Sequence, residues 1–137
     1  MKKIVVITIV FVLIMPTIAK GGMANCATLV SNENNNDNIL YVGGTGPNNY
    51  SKIQDAINAA EDGDTIFVYD DLSPYYENLV IDKSIKLIGE NKETTVIDGM
   101  KKGSVIVIIC SKVTIKNFTI RNSSLDLFTA GIFVNNS

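Results

Sequence analysis

The chain contains no histidine, so any acid–base chemistry is looked for first among its carboxylates. Histidine is the usual general base near neutral pH and the commonest metal ligand. The nearest thing to an acid group is Asp70-Asp71, with Glu77 shortly beyond it. Paired carboxylates can act as acid and base, or hold calcium. This pair directly follows an apolar run, where Asp commonly makes local turn hydrogen bonds, and it reads as a turn. Asp98-Gly99 reads the same way. Tyr75 and Tyr76 offer aromatic faces on which a sugar could stack. Neighbours on a strand point to opposite faces, so at most one can bind glycan while the other packs inward. Asn49, Asn117, Asn122 and Asn135 each begin an Asn-x-Ser/Thr triplet, the acceptor pattern for N-glycosylation in an exported chain. Two cysteines and four methionines form no spaced ligand set for copper, so no metal and no cofactor is expected.

The elements around these residues are short strands. Thr65–Tyr69, Leu79–Ile81, Ile85–Ile88, Thr95–Ile97, Val105–Ile109, Val113–Ile115 and Phe118–Ile120 are apolar runs stopped by Gly, Asn, Asp or Lys. No helical pattern lies between them. The chain is also approximately self-similar. Residues 81–87 match 109–115 at an offset of 28, residues 96–99 match 119–122 at 23, and residues 132–137 match 106–111 at 26. Such periods belong to solenoids, whose turns absorb insertions while the strands stay stacked. A right-handed parallel β-helix is therefore expected, in preference to an antiparallel sandwich. The Ile/Val runs suit strands stacked in register.

A chain of 137 residues allows one domain, and its start lies outside that domain. Lys2-Lys3, the apolar run Ile4–Met15 and the small residues after Pro16 read as a secretory signal over residues 1–24, cleaved after Ala19 or Ala24. The run is short for a membrane span, which needs roughly 20 residues. An uncleaved N-terminal anchor is the rival reading; lipid attachment at Cys26 fits less well, because Asn25 precedes it. Removing this segment takes away three of 12 basic residues and none of 14 acidic ones, leaving a net charge of −5. An acidic chain whose one arginine is Arg121 argues against nucleic acid. A Cys26–Cys110 disulfide is open to an exported protein, but Cys110 ends an apolar strand and reads as a small core residue. Residues 25–38 are polar and read as a disordered linker before the β-helix region, 39–137.

One helix is expected, at about residues 51–61. Ser51 and Gln54 have capping-box spacing, and Ile53, Ala56, Ile57 and Ala60 make one apolar face. Gly63 is placed for a left-handed C-terminal cap. Such a face suits the open first coil of a solenoid, where strand edges need blocking. The other end shows no comparable cap. The chain is read as the N-terminal coils of a longer β-helix, or as one whose last coil meets an end-to-end or further-coil partner.

The ordered series Ile39–Val68, Pro74–Asn78, Ile85–Gly89 and Thr95–Gly99 resembles the opening of the pectin-lyase-like right-handed β-helix proteins. It is most similar to archaeal secreted surface proteins with NosD-type carbohydrate-binding and sugar-hydrolysis repeats, over roughly residues 39–137. The resemblance implies an exported or cell-surface module that binds polysaccharide or surface glycan, or serves as an adhesive element. It carries over no catalytic residue. Pectin methylesterases have a glycine where Ser73 stands, polygalacturonases need a histidine motif, and pectate lyases need clustered calcium-binding aspartates. The alternative is the N-terminal part of a pectinesterase- or pectate-lyase-like enzyme whose active residues lie on later coils. Fold alone does not decide between these.

Overall fold

The computed structural model describes residues 37–135. The expected signal segment, and nearly all of the expected linker, lie outside them. Among the described residues, nine short strands and one helix run in the order β1 (Ile39–Val42), α1 (Ile53–Ala59), β2 (Thr65–Val68), β3 (Leu79–Ile81), β4 (Lys86–Gly89), β5 (Val96–Asp98), β6 (Ile106–Ile108), β7 (Thr114–Lys116), β8 (Thr119–Arg121) and β9 (Ile132–Val134). Every strand pairing is parallel. The strands stack in three columns, β1-β2-β4-β7, β3-β6-β9 and β5-β8. The described residues form a right-handed parallel β-helix of about four turns with one short helix.

The register reproduces the sequence repeats. Lys86 lies on Thr114 at the offset of 28, Val96 on Thr119 at 23 and Ile106 on Ile132 at 26. Alternate side chains point inward, and stacking aligns them into ladders. Leu40, Ile66, Leu87 and Ile115 form one ladder; Leu79, Ile106 and Ile132 begin another. Ile66, Leu87, Leu79 and Ile106 are fully buried, whereas Ile132 and Val134 on the last coil are exposed. Asn117 and Asn122 take the left-handed backbone conformation in the turns, at φ of 60° and 58°. Asn tolerates that region better than most residues.

The helix covers the first coil, with Ile53, Ala56 and Ile57 fully buried beneath it. Its caps differ from those expected. Lys52 is the N-cap residue and makes no side-chain cap bond. The helix ends at Ala60 in extended backbone, so Gly63 lies beyond it in the following turn. The next coil supplies the caps instead. Glu77 accepts hydrogen bonds from Ile53 N (2.9 Å) and Gln54 N (3.0 Å), and Lys83 Nζ donates to the carbonyls of Ile57 (3.0 Å) and Asn58 (2.7 Å). Each charge complements its end of the helix dipole. Gln54 turns to the strand edge: Val80 N donates to its Oε1 (2.9 Å), and its Nε2 donates to Val80 O (3.2 Å). A side-chain amide thus takes the place of a strand beside β3.

Asn38, expected at the end of the linker, is already tied to the first coils. Its N–H donates to Asp64 Oδ1 (3.0 Å) and its carbonyl accepts from Thr65 N (2.9 Å). Cys110 is buried as expected, but it is disulfide-bonded rather than a core thiol. The chain's other cysteine, Cys26, lies outside the described residues.

Candidate ligand-binding site

The two tyrosines singled out from sequence separate, one inward and one outward, although they lie between strands, with Tyr75 in an isolated bridge. Tyr75 is buried, so it is withdrawn as a sugar-stacking residue; Tyr76 stays 60% exposed. Tyr75 bridges to Ile97 in the ladder, and its hydroxyl donates to Tyr69 O at 2.6 Å. Burial raises its pKa above the ordinary phenol value, aided by the carboxylates of Asp71, Glu77, Asp70 and Glu90.

A different aromatic group faces outward on the first column. Tyr41 and Phe67 are register partners on β1 and β2, and Tyr69 follows Phe67 by two residues on the same side. The rings of Tyr41 and Phe67 are 6.2 Å apart, those of Tyr41 and Tyr69 6.1 Å apart and nearly parallel, and those of Phe67 and Tyr69 5.1 Å apart edge to face. These are favourable aromatic spacings. The cluster holds a half-open sheet of rings at the surface, with Tyr41 39% exposed.

An open cleft of about 530 Å³ lies against it, lined by Tyr41, Tyr69, the Gly44–Gly46 loop, Asn49, Asp70, Asp71 and Glu90. The loop is held tightly. Gly44 N donates to both oxygens of Asp71, each at 2.9 Å, and Asn49 Nδ2 donates to Gly43 O. Gly43 and Gly44 have φ of 75° and 69°, and a Cβ on Gly44 would stand 2.8 Å from the Tyr69 ring. Glycine therefore lets the loop rest against the ring. On the opposite side, Asp70 Oδ2 accepts from the Thr94 hydroxyl (2.6 Å), and Glu90 Oε2 accepts from Asp70 N (3.0 Å). Asp70 and Asp71 are turn residues, as their sequence position suggests, and they also wall the cleft. Glu77, grouped with them at the outset, is a helix cap.

Asp98 likewise fixes turns. It is buried and accepts from Met100 N (3.0 Å), Arg121 Nε (2.9 Å) and Asn122 Nδ2 (2.8 Å). The Met100 amide chiefly, then Arg121 and Asn122, hold its carboxyl below the usual range against the opposing effect of burial. Of the sequon asparagines, Asn117 and Asn135 are exposed, Asn49 packs into the cleft wall, and Asn122 is exposed but uses its amide on Asp98.

Among the described residues no group of three or more Cys, Asp or Glu side chains could hold a metal ion, and no helix is long and apolar enough to cross a membrane. No protein-family model matches the chain, and comparison with curated proteins and with solved structures returns no match. The fold defines the class, a parallel β-helix. Among the described residues, the aromatic cleft on its outer face is large enough to receive a small ligand.

Proposed function

We propose that this is an exported, cell-surface β-helix module of the pectin-lyase-like kind that binds carbohydrate without cleaving it. The binding platform is the cleft floored by Tyr41 and Tyr69. The observation that carries the reading is the outward ring cluster beside polar groups. Flat apolar faces match the C–H faces of sugar rings, while Asn49, Asp70 and Glu90 supply acceptors or donors at the edge. A rigid strand scaffold holds the rings in place at little entropic cost. The non-catalytic part rests on the carboxylates, each of which accepts hydrogen bonds that hold a loop or turn. Export rests on the signal-like start and on the four sequons.

Affinity electrophoresis through gels containing soluble polysaccharides tests the reading. Retardation of the whole chain by at least one of them, lost in Tyr41→Ala and kept in Tyr76→Ala, is the expected result. Loss in Tyr76→Ala alone would move the site to the other tyrosine. Release of methanol or of unsaturated uronides from pectin would replace binding by catalysis.

A further inference from the structure

The charge of the cleft is one-sided. Asp70, Asp71 and Glu90 line it, and none of its lining residues is basic. Their hydrogen-bond donors are neutral: the Gly44 and Asp70 amides and the Thr94 hydroxyl. Such donors stabilise a carboxylate without cancelling its charge. The ion pairs of the described residues lie elsewhere, between Lys86 and Asp37 and between Arg121 and Asp98. Burial chiefly, then Asp71, Glu77, Asp70 and Glu90, holds the phenol of neighbouring Tyr75 in its neutral form. The aromatic floor defines the site, and the carboxylates around it set what may rest there. A polyuronate brings a carboxylate on each sugar into this field and is repelled. A protonated amino sugar brings the opposite charge, and its ammonium is also attracted to a tyrosine face.

We infer that the cleft selects cationic amino-sugar polymers and rejects polyuronates, through Asp70, Asp71 and Glu90 arrayed around Tyr41 and Tyr69. This rests on the carbohydrate-binding reading and names its ligand.

The test is calorimetric titration of the whole chain at about pH 5, where amino-sugar amines are largely protonated and ordinary side-chain carboxyls are largely ionised. Three oligosaccharides of equal length are compared: β-1,4-glucosamine, its N-acetylated counterpart and oligogalacturonate. The expected order is glucosamine tighter than the acetylated form by about fivefold or more, with no heat from the uronate. The gap should shrink in about 0.5 M salt, where the screening length falls well below its value of about 10 Å at 0.1 M. Glu90→Gln, which keeps the side chain's shape, should reduce the preference, and Tyr41→Ala should weaken both sugars. Equal binding of charged and acetylated forms, or tighter uronate binding, would overturn the selectivity and leave the platform standing. No heat from any of the three, with no change at Tyr41, would overturn both.

Discussion

Asp98 takes its three hydrogen bonds where water hardly reaches, and one of its donors is the chain's one arginine. Its folded pKa lies below the ordinary value. It therefore contributes stability above the unfolded carboxylate range, and that contribution is lost as pH falls through the depressed folded value. Denaturant unfolding at about pH 6 and pH 3 should show a smaller loss in Asp98→Asn than in the native chain, because the variant has no proton to take up there. An equal loss in both would remove Asp98 as a source of acid sensitivity. Glu77 makes a second residue-scale case. Glu77→Ala strips two helix-end amides of their acceptor and should cost about 1–2 kcal/mol by denaturant melting. A neutral Glu77→Ala would mean that the helix end finds another partner.

At the scale of elements, the strands and their stacking were legible because apolar runs and turn residues recur at the coil's own spacing. The offsets of 28, 23 and 26 are physical pairings. What escaped was contact made across coils. Ser51 and Gln54 have capping-box spacing, but local spacing does not reveal that Glu77, 23 residues beyond Gln54, accepts from the Gln54 amide that Ser51 would have capped. The aromatic cleft escaped for a related reason. Its signal is the alternation of Tyr41, Phe67 and Tyr69 with buried Val42, Ile66 and Val68, visible once β1 is laid on β2. Adjacent Tyr75-Tyr76 is the more conspicuous aromatic pair in the linear sequence. Two substitutions test the alternation. Leu87→Ala, inside, should cost about 2–5 kcal/mol, and neighbouring Ile88→Ala, outside, considerably less. Similar costs at both would contradict the register. Gly44→Ala should destabilise the loop by about 1–2 kcal/mol, since alanine resists left-handed backbone and its methyl group meets Tyr69.

For the whole molecule, one continuous apolar core runs along the coils, and the ladder makes stability close to a sum of contacts between neighbouring coils. The helix closes one end with charges drawn from the following coil. At the other, Leu125, Leu127 and Phe128 are almost fully exposed. Between them a rigid outer wall presents rings and carboxylates together, and the functional account depends on that wall. Residue-resolved chemical-shift mapping of the whole chain during titration with β-1,4-glucosamine oligomers tests it most directly. The account predicts saturable shifts centred on Tyr41, Gly44, Asn49, Tyr69, Asp70, Asp71 and Glu90. Shifts centred on Tyr76, or none at any of these positions, would contradict it.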